Sequence, residues 1–239
     1  MEENICSNSL SEYEKNQGFN RITSFFHNVR YRHLIKFFER FPANKAIKVV
    51  DIGCAHAKTF CLLKDRFSIA YIGIEPSELG VYAYQRYSSH KNFRIINGLV
   101  EDHFLELKEA DVILALETLE HIPENIVVRI IEQISLTKSK NFICSVPNEI
   151  GPIVWVKNIA SLLMGYIRHT EYTWRETFFA GIYKLDRIEA HTNGHKGFDW
   201  RWLAQTLRHN MVICKTYSSP VSWLPKILSP SLFFICRPK

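Results

Sequence analysis

The order of the apolar segments predicts an α/β chain whose parallel sheet, covered by helices on both faces, ends in an antiparallel hairpin. Three observations predict it. Short apolar runs at 47–52, 69–74, 93–96, 111–116 and 141–146 alternate with stretches of helical periodicity, as strands joined by crossover helices do. The first run leads straight into Asp51-Ile52-Gly53-Cys54-Ala55-His56-Ala57, a turn of small residues that opens a helix. The last two runs, 211–216 and 231–236, are separated by a Pro- and Ser-rich turn with no helix between them, so they must pair antiparallel.

Each remaining element has its own signal. Residues 21–41 carry Ile22, Phe25, Phe26, Val29, Leu34, Phe37, Phe38 and Phe41 at helical spacing, and Pro42 stops the helix, which is expected beside the ligand cleft. A helix through Leu62 and Leu63 follows the first turn, Ser77 with Glu78 behind it starts another, and further helices run from Pro123 to about Ser135 and over 199–209. Between 148 and 197 the alternation breaks. Trp155, Tyr166, His169, Tyr172, Trp174, Phe178, Phe179, Tyr183, His191 and His195 accumulate there, which reads as a lid or substrate-binding insertion. Residues 1–20 are polar and mixed in charge and read as a flexible N-terminus. Residues 21–239 read as one domain.

Composition narrows the classes. At 239 residues and 46% apolar, the chain can bury a sizeable core and is not of the disordered class. The first twenty residues lack the basic start and apolar middle of a secretion signal, so a cytoplasmic location is expected. Residues 150–167 are nearly apolar but interrupted by Pro152, Lys157 and Asn158, reading as a lid or interfacial helix rather than a membrane span. The 6 cysteines form no Cys-x-x-Cys pair and are expected to be reduced thiols. Lys plus Arg number 30 against 24 Asp plus Glu, and 200–239 holds Arg201, Arg208, Lys215, Lys226, Arg237 and Lys239 with no acidic residue. A phosphate-bearing substrate, RNA or an acidic membrane face would be drawn to that end; basic residues solvated on separate faces read the same way.

The chemistry starts at the small-residue turn. Main chain can pass close to a ligand there because no large side chain intervenes. Glu75, at the end of the second apolar run, can accept both hydroxyls of a ribose. On these residues alone an NAD-type dinucleotide site stays open, since an acid about twenty residues past the turn serves it equally.

Taken in order, the motifs from Lys48 onward resemble those of the class I S-adenosylmethionine-dependent methyltransferases. Asp51 to Ala57 is similar to the family's Asp-x-Gly-x-Gly-x-Gly, with Ala55 and Ala57 where glycine is usual. Glu75 in Ile72-Gly73-Ile74-Glu75-Pro76-Ser77 resembles the ribose-binding acid, and Asn97-Gly98-Leu99-Val100-Glu101-Asp102 the stretch along the adenine. Ala115 to Pro123, Ser145-Val146-Pro147-Asn148 and the closing Leu232 to Arg237 complete the series. The resemblance implies a Rossmann-like seven-stranded sheet, parallel with an antiparallel C-terminal hairpin strand. It implies a methyl donor held by Asp51, Gly53, Cys54, Ala55, Glu75, Pro76, Val100, Glu101 and Leu116.

Methyl transfer is an in-line displacement, and a hydroxyl acceptor needs a base or a metal to take its proton. Glu117, Glu120 and His121 follow the fourth strand as Glu-x-x-Glu-His. Turned helically they would share a face and suit Mg²⁺ or Mn²⁺. In this motif the chain resembles the ubiquinone-pathway O-methyltransferases and the small-RNA 3′-terminal 2′-O-methyltransferases, where it implies a divalent metal. The small-RNA branch adds a later histidine, to which His195 is similar, so Glu117, Glu120, His121 and His195 form the expected metal set. The other reading makes His121 a cap and His195 a general base or a structural residue at a helix entrance. His195, His121 and Glu117 are the catalytic candidates. The leading acceptor is a sugar hydroxyl on a nucleotide sugar or surface-glycan intermediate, from the basic charge and the aromatic-rich insertion. A lipid- or quinone-like phenol comes second. RNA is third, for no dense basic run or RNA-binding module is visible. Peripheral membrane contact and a non-catalytic binding role on the same fold are further alternatives; oligomeric state is not readable.

Overall fold

On each strand successive side chains point to opposite faces, so a sheet whose neighbours are all apolar must be covered twice. The computed structural model, which describes residues 21–139, 141–163, 172–189 and 196–239, shows this arrangement. Its strands are β1 (Ile47–Ile52), β2 (Ile69–Ile74), β3 (Phe93–Ile96), β4 (Val112–Leu116), β5 (Asn141–Pro147), β6 (Met211–Ser219) and β7 (Ser231–Pro238). They form one sheet in the order β3-β2-β1-β4-β5-β7-β6. β1 to β5 run parallel, and β7 lies antiparallel to both β5 and β6. The predicted class and hairpin are both present.

The helices are α1 (Arg21–Phe38), α2 (Lys58–Leu63), α3 (Glu78–Tyr87), α4 (Phe104–Leu107), α5 (Glu124–Ser135), α6 (Ile153–Leu163), α7 (Trp174–Gly181) and α8 (Trp200–Asn210). Neighbouring residues of one strand serve different layers. Val49 and Leu114 pack with Leu34, Phe38, Phe60 and Tyr87 of α1, α2 and α3. Val50 and Ile113 pack with Ile130, Ile134, Leu203 and Leu207 of α5 and α8. Ser77 caps α3 by accepting the Leu79 amide, as its sequence position predicts. α1 ends at Phe38, before the expected 41, because a turn closed by Phe41 N–H to Phe38 O precedes Pro42. Cys54, Cys144 and Cys236 are buried free thiols and Cys214 an exposed one; Cys61 is disulfide-bonded, which corrects the expectation that every thiol is reduced. Among the described residues no helix is long and apolar enough to cross a membrane.

The expected insertion contributes α6 and α7 rather than sheet. Trp155 Nε1 donates to Thr177 O (3.1 Å), tying α6 to α7. Thr173 and Glu176 form a capping box that starts α7. The fully buried Tyr172 then fastens the segment to the core, since its hydroxyl donates to Glu149 O (3.4 Å) and accepts from Gly197 N–H (2.7 Å). Lys196 Nζ lies 2.6 Å from Glu176 Oε1. Tyr172→Phe therefore strands the Gly197 amide, and we expect about 1–2 kcal/mol lower stability in chemical denaturation, with faster proteolysis within 172–197.

Candidate active site

Strand order reverses between β1 and β4, whose neighbours lie on opposite sides. The loops leaving their carboxyl ends diverge there and open a crevice, the usual ligand position in open α/β sheets. One wall is the turn after β1. Gly53, Ala55 and Ala57 all adopt left-handed backbone, with φ of 67°, 46° and 53°. A Cβ on Gly53 would stand 2.3 Å from Thr118 Cγ2, so only glycine fits between this turn and the β4 loop. At Ala55 and Ala57 the same backbone costs about 1–2 kcal/mol each. The strain persists because the surroundings impose it: Ala55 N–H donates to Glu75 Oε2 (2.9 Å), and Ala57 N–H to Cys54 O (2.8 Å).

Glu75 joins the turn to the end of β2. Its Oε1 accepts Ser77 N–H (3.0 Å) and Ser77 Oγ (2.6 Å), and Asn97 Nδ2 donates to the Glu75 carbonyl (3.2 Å). Beneath the turn, Asp51 is 2% exposed and accepts the Tyr71 hydroxyl at 2.7 Å. Burial pushes its carboxyl up to about 6; hydrogen bonds from Tyr71 and Thr59 oppose that shift, and the Glu75 charge adds to it.

The opposite wall is the β4 loop. Glu117 sits at φ 52°, and its Oε1 accepts Ser145 Oγ (2.9 Å) and Ser231 Oγ (3.0 Å) while Arg30 Nη1 of α1 lies 3.5 Å away. Three separated elements, β5, β7 and α1, thus fix one carboxylate. Behind it Glu120 is 8% exposed, and burial with the Glu117 charge holds its carboxyl far above the ordinary range. Glu149, 2% exposed, pairs with Lys157 Nζ of α6 (2.9 Å).

A small-residue turn facing a carboxylate at the end of β2 lies across the switch point of this strand order, where the sequence motifs expect the nucleoside. Residues 25–213 match the family described as a methyltransferase domain. The chain belongs to the class I S-adenosylmethionine-dependent methyltransferases. No curated protein sequence matches this methyltransferase. Among solved structures it resembles the methyltransferase domain of bacterial Hen1, at 15% identity and TM-score 0.60 over 89% of this chain and 99% of that one. A Pyrococcus horikoshii protein is similar at 15% identity and TM-score 0.58, over 97% and 100%. Magnesium protoporphyrin IX methyltransferase from Synechocystis, solved with bound S-adenosylhomocysteine, is similar at 12% identity and TM-score 0.54, over 92% and 88%. These likenesses show the fold.

The residues expected at the methyl donor fall on the turns and strand ends that follow β1, β2, β3 and β4. Gly53, Ala55 and Glu75 face each other across the turn, and exposed Pro76 follows Glu75. Val100 (buried) and Glu101 (partly exposed) lie on the short turn after β3, and the partly exposed Leu116 ends β4. Asp51 and Cys54 take supporting places: Asp51 holds Tyr71 below the turn, and the Cys54 sulfur fills the space over Gly73. Of the expected metal set, the described residues include Glu117, Glu120 and His121 but not His195. Glu117 lies outside the short 3-10 turn Leu119–His121, so the helical face that would align the three residues never forms, and His121 is exposed while Glu120 is buried. Among the described residues no group of three His, Cys, Asp or Glu is placed to hold a metal ion. His195, His169 and His191 lie outside the described residues, as do residues 1–20. Sequence reasoning missed Arg30 and Ser231, which no motif marks. Arg30 has only the helical spacing of α1 as a signal, and Ser231 none beyond its place at a strand start.

Two outcomes follow. Asp51 titrates higher folded than unfolded, so wild type has the benefit of its neutral carboxyl below the unfolded value near 4 and loses it as pH rises through about 6. The stability advantage of Asp51→Asn over wild type should therefore grow by about 3 kcal/mol between pH 3 and pH 7 in urea titrations. Ala55→Gly removes the left-handed strain at a partly exposed position and should add about 0.5–1 kcal/mol, after glycine's extra chain entropy, by the same measurement.

Proposed function

We propose that this methyltransferase methylates a hydroxyl oxygen, with a sugar hydroxyl on a nucleotide sugar or glycan intermediate as the acceptor class. The observation that carries this reading is the Glu117 carboxylate. All three of its described contacts, from Ser145, Ser231 and Arg30, fall on Oε1. They orient the group at the acceptor side of the crevice and leave Oε2 for the acceptor proton. S-adenosylmethionine supplies an electrophilic methyl group on a sulfonium.

An aliphatic hydroxyl is a poor nucleophile until its proton leaves, so a positioned carboxylate is worth about 10²–10⁴-fold in rate. An amine would need no such group. The left-handed backbone at Glu117 is consistent with a residue held for function, since strain of this kind concentrates where geometry matters. Glu75 and the turn hold the nucleoside, and Ser145 and Ser231 keep Glu117 from swinging away. The segment 148–197 supplies the acceptor side, where exposed Trp174 and Phe178 offer flat faces suited to sugar rings. No metal step is invoked, because the described donors do not assemble one.

The test is transfer of a labelled methyl group to nucleotide sugars, simple phenols and short RNA, with and without EDTA. We expect label on a sugar oxygen in the presence of chelator. Glu117→Gln should lower kcat by about 10² or more with S-adenosylhomocysteine affinity kept, whereas Glu75→Gln should weaken that affinity about tenfold or more. Label on nitrogen, or full activity in Glu117→Gln, overturns the base. Label on the phenol or on RNA alone overturns the sugar acceptor. Activity lost to EDTA and restored by Mg²⁺ or Mn²⁺ replaces the base with a metal.

A further inference from the structure

A charged concavity of the described residues lies away from the active site, at the β6 edge of the sheet. Between α1 and the β6–β7 hairpin runs a groove of about 340 Å³. Arg32, His33 and Lys36 of α1, at the spacing of one helix face, and Arg40 of the turn after it line the groove, and no acidic residue among the described residues does. Its floor is aromatic: His33 stacks on Tyr217 with ring centroids 4.7 Å apart. The buried Nε2 of His33 has no hydrogen-bond partner among the described residues. Such a groove favours an anion.

The rim says which kind. Pro220 and Ser222 belong both to the groove and to the loop between β6 and β7. The same loop presents Trp223 at 81%, Ile227 at 46% and Leu228 at 38% exposure, with Lys226 among them. A soluble anion needs no apolar rim, and a nucleic-acid strand, though it could use the aromatic floor, leaves the exposed tryptophan and aliphatic side chains of the loop without a role. Burial and the charges of Lys36 and Arg32 lower the pKa of His33, so the groove's cations are Arg32, Lys36 and Arg40. These three beside an exposed tryptophan and two exposed aliphatic residues match the headgroup and acyl boundary of an anionic bilayer.

We infer that the groove and the β6–β7 loop together form a docking surface for an anionic phospholipid membrane, with the lipid phosphate in the groove and Trp223, Ile227 and Leu228 in the interface. The surface differs from the apolar segment 150–167 that the sequence singles out, and it does not depend on which acceptor is methylated. α1 connects the two regions: Arg30, less than one turn from His33, reaches Glu117.

The experiment is cosedimentation of the full chain with vesicles of phosphatidylcholine alone and of phosphatidylcholine mixed with phosphatidylglycerol. We expect at least about tenfold tighter binding to the mixed vesicles, weakened by salt. Trp223→Ser, and separately the double variant Arg32→Glu with Lys36→Glu, should each lower it at least about tenfold. Both variants should keep the wild-type circular dichroism and S-adenosylhomocysteine affinity, because these side chains are exposed and outside the site. Equal binding to both vesicle types, or unchanged binding by either variant, overturns the proposal. Binding of inorganic pyrophosphate without vesicle binding reassigns the groove to a soluble phosphate ligand and overturns it. Binding of an RNA oligonucleotide without vesicle binding does the same in favour of nucleic acid.

Discussion

The Glu75 carboxylate holds the crevice in shape, and most of the donor side depends on it. One oxygen takes the Ala55 amide from the turn after β1, and the other takes the amide and hydroxyl of Ser77 at the start of α3. These are charge-assisted bonds in a group only 8% exposed, where an unmade bond to a carboxylate is costly. The arrangement extends through a side chain the coupling that the Gly53 N–H to Ile74 O bond (2.8 Å) begins. Thr118 closes the turn from the opposite side, since its hydroxyl donates to Ile52 O at 3.2 Å and its methyl stands where a Gly53 Cβ would be. The turn is thus clamped between β2 and β4, and its left-handed residues follow from that clamp rather than from local preference.

The acceptor side is built on a different principle. Glu117, Glu120 and Glu149 are gathered near the ends of β4 and β5, and Arg30 and Lys157 come in from α1 and α6. Like charges brought out of water disfavour ionisation, so one carboxyl in such a group is driven toward its neutral form. Glu120 is that group. The cations come from two elements outside the alternating strand–helix core, α1 and α6, so the charge of these carboxylates is balanced from beyond the sheet.

Much of the fold was legible because it rests on period and order. Alternating apolar runs located the seven strands to within a few residues, and the helix-free turn after β6 fixed the antiparallel ending. The Ser77 cap, the turn at Gly53 and the acid at Glu75 were readable because each residue type has few other uses at such a position. Arg30 and Ser231 were not, because their partner Glu117 is 114 residues from Ser231 and nothing local records a contact at that range. The local shape of the Glu-x-x-Glu-His motif was not legible for a related reason. Its spacing implies a shared face only on a helix, whereas the chain leaves β4 through a left-handed Glu117 and makes a single 3-10 turn, in which Glu120 is buried and His121 exposed. Spacing is informative only when the conformation that gives it meaning is itself secure.

The two alanines in the turn show how a departure from the usual pattern can be tolerated. Glycine at 55 and 57 would relieve backbone strain, yet the two positions are not equivalent. Ala57 is fully buried and its methyl packs in the cluster with Phe60, Leu63 and Leu34, where a buried methyl contributes about 0.8 kcal/mol. That gain, with the lower chain entropy of alanine in the unfolded state, offsets most of a left-handed cost of about 1–2 kcal/mol. Ala55 is partly exposed and has no such cluster; it is held by the amide that Glu75 accepts. The turn therefore keeps its shape without glycine for two separate reasons, packing at one residue and a carboxylate at the other. A small-residue pattern, rather than a glycine count, is the property to read in such turns.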